Sequence, residues 1–288
     1  MQIKALACEL PCNSGLPLSR FSSYDIATEA IRRGIVAQIS HTTVWRWLNE
    51  DAIKPWQYRS WIFPRDPYFE EKAGRVLDLY HGIWDHNLLK SNDFVISADE
   101  KTSIQVRDRK HDTMPPTAGN PMKVEHEYRR GGSLNYIAAM DVNNAKIFGR
   151  CEAKTGIKPF DLLVEDVMSQ EPYCSANRVF WIVDNGSSHR GQSSIDRIET
   201  KWPNAILVHL PVHASWLNQI EIYFSIVQRK VLTPNYFSSI EQLKEAIMSF
   251  QYRYEKIAKP FEWKYTKDDL SGLMKKLNRW PESLPLTA

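Results

Sequence analysis

The sequence predicts an α/β fold in which a mixed sheet is flanked by helices and preceded by a small all-α region. Three observations predict this fold. The first sixty or so residues carry short helical patterns. From about residue 93 strand-like runs follow one another, and from about residue 159 strand-like runs alternate with helix-like runs. Strands in a meander followed by alternating strands and helices are typical of a mixed sheet with helices on its faces.

The composition leaves the function open. The 288 residues suffice for one large domain or two medium ones, and 43% of them are hydrophobic. The net charge of +3 permits nucleic-acid binding without requiring it, because a folded protein can collect its charge on one face. No apolar run approaches the roughly 20 residues of a membrane span, and the N-terminus has no secretory pattern. We therefore expect no membrane partner and a cytoplasmic location.

Two helices are predicted in the N-terminal region, residues 1–64. Residues 22–25 form a capping-box pattern, after which apolar residues repeat at helical spacing as far as Gly34. A second helix is predicted to begin at Ser40. Helix, glycine-containing turn and helix with a threonine-rich start is the pattern of a helix-turn-helix DNA reader, although a small helical bundle without a ligand fits the same residues. The candidate DNA contacts on the second helix are His41, Thr42, Thr43 and Arg46.

Residues 65–90 are predicted to form a linker and one bridging helix. Prolines at positions 55, 64 and 67 suit a connection between domains. Apolar residues at helical spacing then predict one helix from residue 68 to residue 89.

Residues 91–260 are predicted to form the sheet and its helices, and residues 261–288 a helical tail. The predicted strands are residues 93–99, 103–106, 134–142, 145–151, 178–184 and 205–210. The predicted helices are residues 159–171, residues 215–232, and a third that begins after a capping pattern at residues 238–241.

Three acidic residues stand where these elements end or begin. Asp99 and Asp184 end predicted buried strands, and Glu221 lies at the edge of a helix's apolar stripe. At an effective dielectric of about 20, two carboxylates about 4 Å apart repel by roughly 4 kcal/mol, so a cluster of three favours a bound cation. Mg²⁺ prefers oxygen ligands, and two such ions can support an in-line displacement at phosphorus. Alternatively, each acid caps a helix or meets a lysine such as Lys101.

The residues around these acids carry three motifs in a fixed order. They are SADEKT at 97–102, VDNGSSH at 183–189 and LPVHASWLNQIE at 210–221. Together they closely resemble the D-D-E transposases of the mariner-like superfamily, with the bacterial insertion sequence 630 type as the nearest branch. The similarity extends through almost the whole chain, including PFEWKYT at 260–266. The 36 residues between Asp184 and Glu221 are close to the family's spacing.

The resemblance implies a ribonuclease-H-like catalytic fold behind a helix-turn-helix region. Asp99 would end the first core strand, Asp184 the fourth, and Glu221 would lie on the helix after the fifth. The implied enzyme is a DNA transposase that hydrolyses a phosphodiester at the element's ends and joins the 3′-hydroxyl ends to target DNA. It would use two Mg²⁺ ions, with Mn²⁺ as a substitute, held by the three carboxylates. Residues expected to flank this metal site are Asn185, His189 and Asn218.

Double-stranded DNA is the implied partner, as terminal inverted repeats and as target. Because transposition brings two ends together, we expect a homodimer on DNA. Basic residues in the loop between the early strands are further candidate contacts, namely Arg107, Arg109, Lys110, Lys123, Arg129 and Arg130. A C-terminal basic set fits a solvated surface better, namely Lys264, Lys267, Lys275 and Lys276.

The chain departs from the pattern in one respect. Longer relatives usually carry two helix-turn-helix units, and this chain has room for one. Two alternatives to an active transposase therefore stay open. One is an immobile or domesticated DNA-binding derivative, and the other is a ribonuclease-H-type nuclease that acts on RNA–DNA hybrids.

Overall fold

The computed structural model describes residues 1–58, 64–186 and 188–277. The chain divides into two compact units, Met1–Ile62 and Phe63–Ala288. None of the helices in the described ranges combines the length and apolar character needed to cross a bilayer.

Helices are the regular secondary structure of the first unit where it is described. It contains α1 (Gln2–Ala7), a 3₁₀ turn (Pro11–Ser14), α2 (Ser23–Arg32) and α3 (His41–Glu50). The predicted capping box is confirmed: the Asp25 amide donates to the Ser22 hydroxyl at 3.2 Å, and the Ser22 amide donates to the Asp25 carboxylate at 2.8 Å. The buried faces of α2 and α3, which include Ile26 and Leu48, form a core that belongs to this unit alone.

The second unit begins with a helix and a short hairpin. These elements are α4 (Phe69–Tyr80), β1 (Ile83–Trp84) and β2 (Asn87–Leu88). The prediction of one helix as far as residue 89 is wrong. Gly82, Asp85 and His86 all have positive φ angles, of 73°, 46° and 64°, which no α-helix accommodates. The chain therefore reverses direction after α4.

A five-stranded mixed sheet forms the centre of the second unit. Its strands are β3 (Asp93–Asp108), β4 (Arg129–Asp141), β5 (Ile147–Glu152), β6 (Arg178–Val183) and β7 (Ala205–His209). Their spatial order is β5-β4-β3-β6-β7. β3, β4 and β5 are antiparallel neighbours, whereas β6 is parallel to both β3 and β7. The predicted mixed sheet is confirmed.

β3 is one long strand where the sequence predicts two. The pairing between β3 and β4 shifts between Lys101 and Ile104, and Ser103 has a φ of 54°. The Asn135 side chain accepts a hydrogen bond from the Ser103 amide at 2.9 Å, which satisfies the backbone at this irregularity. The prediction that Asp99 ends a strand is therefore wrong, because Asp99 lies inside β3.

Helices cover the sheet in three groups. They are α5 (Ile157–Met168), α6 (Gln192–Lys201), α7 (Ile220–Lys230), α8 (Ile240–Glu255) and α9 (Lys267–Leu277). α5 and α6 pack on one face of the sheet, and α4 and α9 pack on the opposite face. α7 and α8 cover the C-terminal half of β3 together with β4.

Two of these helices differ from the sequence patterns. α6 is not predicted, because Ser194 and Ile198 are its only buried members and its pattern is weak. The helix predicted from residue 215 instead begins as a 3₁₀ turn (Ser215–Leu217), becomes extended at Asn218, and continues as α7. This break frees Asn218 to point at the sheet.

Candidate active site

Sheet register brings two of the predicted carboxylates together. The parallel pairing of β3 with β6 ends at Ser97 opposite Ile182. Continued by two residues, the same register sets Asp99 opposite Asp184, on strands that lie about 4.8 Å apart. The two aspartates therefore meet where β3 and β6 separate.

Asp99 is held by two hydrogen bonds. The Asn218 amide group donates to one carboxylate oxygen at 3.1 Å, and the Glu100 backbone amide donates to the other at 2.7 Å. The pKa of Asp99 is raised to about 7, mainly by burial and also by the neighbouring carboxylates of Asp184 and Glu221, while the two donors act in the opposite direction. Negative charge is therefore concentrated at this point.

Asn218 is fixed by a buried network that the sequence analysis does not anticipate. Its amide also donates to the Ala98 carbonyl at 3.0 Å, and its carbonyl accepts from the Ser97 hydroxyl. The Ile220 amide, at the start of α7, donates to that same hydroxyl at 2.8 Å. The beginning of α7 is thereby fastened to β3 beside Asp99.

Tyr80, the last residue of α4, holds the backbone on either side of Asn218. Its hydroxyl donates to the Leu217 carbonyl at 2.7 Å and accepts from the Gln219 amide at 3.3 Å. The two bonds bracket Asn218 on both sides in the chain. No signal in the sequence distinguishes this tyrosine from a core aromatic residue.

Asp184 directly follows β6 and is held by His189 and Gly186. The hydrogen bond with His189 Nε2 lowers the pKa of Asp184, although burial acts in the opposite direction. The Gly186 amide donates to the same carboxylate oxygen at 2.6 Å. A Cβ atom at Gly186 would lie 2.9 Å from that oxygen and 3.0 Å from His189 Nε2, so only glycine allows this close approach.

His189 is buried and held from several sides. Its Nδ1 lies 3.0 Å from the Ser188 hydroxyl, which in turn donates to Glu100 at 2.9 Å. The Phe160 ring lies 4.9 Å from the imidazole, centre to centre. Glu100 and Ser188 are functional candidates that the sequence analysis missed. Both lie inside the motifs, but only the fold shows that they meet.

Glu221 occupies the first turn of α7. Burial raises its pKa, and the charge of Asp184 raises it further, whereas Lys101 lowers it. The charge of Lys101 therefore favours the ionised form of Glu221, and in the described ranges Lys101 forms no ion pair with Asp99.

Asn185 holds the backbone beside the site. Its side chain donates to the Leu210 carbonyl at 2.6 Å and ties the loop after β6 to the end of β7.

The donor set of the three acids suits a hard cation. Within the described part of the chain, no three Asp, Glu, His or Cys side chains lie close enough to form a closed metal cluster. Mg²⁺ does not require one, because it commonly binds one or two carboxylates and completes its shell with water and substrate phosphate. The three carboxylates, whose charges act on one another, fit such an open site.

The predicted DNA contacts on α3 are mostly exposed. His41, Thr42 and Arg46 face solvent, whereas Thr43 is half-buried. The Ser40 hydroxyl, which caps α3, accepts from the Thr43 amide at 3.1 Å and lies 2.9 Å from the Thr43 hydroxyl. Thr43 therefore contributes to the start of the helix.

The basic residues assigned to the loop between the early strands have different settings. Lys110 and Lys123 are exposed there, but Arg107 lies on β3, and Arg129 and Arg130 lie on β4. This placement corrects the prediction that all of them lie in one loop.

Arg109 is nearly buried, unlike the lysines of this loop. Only 9% of its surface is exposed, and its guanidinium donates to the carbonyls of Glu125, at 2.7 Å, and Asn235. In the C-terminal set, Lys267 pairs with Asp78. The other three lysines of that set, Lys264, Lys275 and Lys276, are exposed.

Comparison with known proteins identifies the family. Residues 95–244, more than half of the chain and including all three carboxylates, match the family model described as DDE superfamily endonuclease. The chain therefore belongs to this family and is an endonuclease by class. Enzymes of this kind generally use divalent metal ions. No curated protein matches the sequence.

Two solved structures share the fold. The Mos1 mariner paired-end complex with Mn is 14% identical, with a TM-score of 0.53 over 90% of this chain and 72% of that chain. The Mos1 transposase paired-end complex with the left transposon end is 12% identical, with a TM-score of 0.51 over 97% and 75%. The predicted ribonuclease-H-like fold is confirmed, and the family model confirms the predicted D-D-E endonuclease family. The mariner-like superfamily and the insertion sequence 630 branch stay predictions.

Proposed function

We propose that this endonuclease is a DNA transposase that cleaves the ends of its own element and joins their 3′-hydroxyl groups to target DNA. The convergence of Asp99, Asp184 and Glu221 within the segment that matches DDE endonucleases carries the proposal. The similarity in fold to Mos1 transposase complexes supports it.

We further propose that the three carboxylates hold two Mg²⁺ ions, with Mn²⁺ as a substitute. The bound ions would activate the attacking oxygen and stabilise the leaving oxygen of the phosphodiester. The protein's own part is to fix the ligands. Asn218 and the Glu100 amide orient Asp99, and His189 and Gly186 orient Asp184.

DNA recognition is assigned to the first unit. We propose that α3 reads the terminal inverted repeats of the element, with its exposed residues His41, Thr42 and Arg46 at the DNA. Residues 91–260 would then carry the chemistry, joined to the reader through residues 65–90. Of the proposed helical tail, residues 261–288, the structure describes α9, and residues 278–288 lie outside the described residues. Two copies of the chain would assemble on two DNA ends, because joining requires both ends at one target.

The decisive experiment compares Asp99→Asn and Glu221→Gln with the wild-type chain. The substrate is a plasmid that carries the inverted repeats flanking the gene, incubated with Mg²⁺ or Mn²⁺. Each variant loses charge but keeps its shape, and we expect cleavage and joining to fall about a thousandfold. Binding of repeat DNA in a gel shift should persist, while Mn²⁺ affinity measured by electron paramagnetic resonance should fall. Asp268→Asn, at an exposed position on α9, is the matched control.

Unimpaired cleavage by Asp99→Asn would contradict the proposal. Repeat binding by the wild-type chain without joined products would instead indicate an immobile DNA-binding derivative. Cleavage of an RNA–DNA hybrid, but not of the repeat DNA, would indicate a ribonuclease-H-type nuclease.

A further inference from the structure

An open cavity of about 660 Å³ lies along the C-terminal half of β3. Its walls come from β3, from the segment before β4 and from the turn after α7. We call it the β3 groove. The residues that matter to its chemistry are Lys101, Gln105, Arg107, Arg109, Tyr128 and Asn235.

The groove begins at the candidate active site. Lys101 lines the groove. Lys101 also lies two residues after Asp99 on β3. A DNA strand that left the carboxylates along β3 would enter this groove.

Within the described part of the chain, the two arginines of the groove, Arg107 and Arg109, form no ion pair. Within the described residues, Arg107 Nε is buried without a hydrogen-bond partner. Arg109 donates to two backbone carbonyls and to no carboxylate. The nearby Glu125 carboxylate accepts from the amide and the imidazole of His111 instead, at 2.9 and 3.0 Å. A nearly buried cation without a counter-charge favours an anionic ligand.

An aromatic ring stands beside these cations. The guanidinium carbons of Arg107 and Arg109 lie 4.8 and 5.8 Å from the centre of the Tyr128 ring. Tyr128 remains 39% exposed. Cations next to a partly open aromatic ring are typical of sites for single nucleotides, where phosphate meets the charge and a base stacks on the ring.

Hydrogen bonds to the backbone of β3 hold the other wall of the groove in place. The Asn235 side chain donates to the Gln105 carbonyl at 2.6 Å and accepts from the Arg107 amide at 3.3 Å. It thereby pairs with the edge of β3 as a neighbouring strand would. Arg107 is thus held on a fixed backbone beside Tyr128.

We propose that the β3 groove binds one unstacked nucleotide of the DNA strand next to the scissile phosphodiester. Its phosphate contacts Lys101 and Arg107, and its base lies against Tyr128. The base is unstacked because base faces inside a duplex are covered by their neighbours. This inference rests on the proposed function, since it assumes that DNA occupies the carboxylate site.

Photochemical cross-linking tests the inference on the full chain. The probe is a 30-base-pair duplex with a three-nucleotide single-stranded extension that carries 5-iododeoxyuridine, a base that cross-links to aromatic residues in contact with it. We expect mass spectrometry to locate the adduct on Tyr128 in the wild-type chain and in no case on Tyr252. The fully paired duplex with the same modified base should give no adduct at Tyr128.

Variants give an independent measurement. Tyr128→Ala should weaken binding of the extended duplex roughly tenfold, and Tyr128→Phe should preserve it, because stacking needs only the ring. Arg107→Ala should reduce the slope of log affinity against log salt concentration by about one. The matched controls are Tyr252→Ala and Arg253→Ala on α8. Tyr252 is also exposed and lies under a cation, Lys256, at 4.1 Å.

Each outcome has a defined meaning. An adduct elsewhere, or equal affinity of Tyr128→Ala and Tyr252→Ala, would overturn the inference and leave the transposase proposal intact. Equal cross-linking of Tyr128 to the paired duplex would overturn the unstacked state. Absence of both DNA binding and DNA cleavage by the wild-type chain would remove the proposed function itself. Because the adduct is mapped in the wild-type chain, poor folding of a variant does not affect that result.

Discussion

Tyr80 shows how a residue without a reactive role can set the geometry of the site. Its hydroxyl satisfies the Leu217 carbonyl and the Gln219 amide, which lie immediately before and after Asn218. Asn218 in turn holds Asp99. Tyr80 is therefore a positioning residue that acts on Asp99 through Asn218.

We expect Tyr80→Phe to lower kcat for DNA cleavage by about tenfold and to leave KM unchanged, because the carboxylate is displaced and the DNA surface is not. The free energy of unfolding should fall by about 1–2 kcal/mol, since two backbone groups lose their partner. Steady-state kinetics and denaturant unfolding measure the two effects. Tyr252→Phe, at an exposed tyrosine of α8, is the control. Equal kcat for Tyr80→Phe and wild type would contradict the positioning role.

The sequence predicts the acidic residues more readily than the residues that position them. Asp99, Asp184 and Glu221 stand beside strands and helices whose patterns are strong, so their neighbourhood could be predicted. Glu100, Ser188 and Tyr80 could not, because their partners are distant in the chain and depend on register and helix packing. Arg109 stays a candidate DNA contact, but its burial could not be predicted, because a positive charge usually marks a surface, whereas in this fold two carbonyl oxygens satisfy it.

At the scale of elements, the starts of β3 and β6 are joined by an ion pair. Arg178 donates to the fully buried Asp93 carboxylate at 2.7 Å, and the Asn177 side chain donates at 2.7 Å. Burial alone would raise the pKa of Asp93, but these donors outweigh it and hold the pKa at about 2. The folded pKa thus lies below the ordinary value of 3.8.

This difference makes stability depend on pH. The ionised Asp93 contributes about 2 kcal/mol above its ordinary pKa, and the contribution is lost as the pH falls from about 4 towards 2. We expect Asp93→Asn to be less stable than wild type at pH 6 and nearly equal at pH 2, as measured by urea unfolding across this range. Asp268→Asn should follow the wild-type curve. A constant difference at every pH would contradict this account.

β5 packs against α8 at a glycine. A Cβ atom at Gly149 would lie 2.4 Å from both the Tyr136 hydroxyl and the Gln251 side-chain oxygen. These two groups are bonded to each other at 2.9 Å, and Tyr136 is fully buried, so its ring cannot move aside.

We expect Gly149→Ala to destabilise the fold by about 1–3 kcal/mol, measured by thermal or denaturant unfolding. Gly272→Ala is the matched control. Apart from the helix's own backbone, no atom of the described residues lies within 4 Å of a Cβ at that position in α9, so alanine should be neutral or stabilising by up to about 1 kcal/mol. Equal stability of the two variants would contradict the packing argument.

The length of β3 and the break before α7 illustrate what patterns miss at this scale. Polar residues around Ser103 interrupt the apolar alternation, so two strands are predicted. The structure keeps one strand because the Asn135 side chain repairs the pairing. The apolar spacing likewise continues through Asn218, although the chain is extended there.

At the scale of the whole molecule, the first unit has a core of its own. Among the described residues, the buried members of this core lie between Ile3 and Leu48, and the residues packed around them extend to Trp56. A unit of about 60 residues is near the lower limit for independent folding. The mixed sheet was predicted as a class because its strand runs are strongly apolar, whereas α6 was missed because its buried face is small.

We expect a fragment of residues 1–62 to be helical by circular dichroism and to unfold cooperatively. It should bind repeat DNA without cleaving it, because it lacks the three carboxylates. The same fragment with Leu48→Asp, which places a charge in its core, is the unfolded control. A wild-type fragment with the spectrum of that control would show that this unit depends on the rest of the chain.

The register of β3 against β6 also decides whether the acidic centre forms at all. Asp99 and Asp184 face each other only in the correct register, and a slip of one residue would turn Asp99 towards the opposite face of the sheet. A misfolded or half-folded chain therefore cannot assemble the acidic centre. Because the two aspartates come together only through this long-range pairing, the endonuclease centre depends on correct folding of the whole sheet.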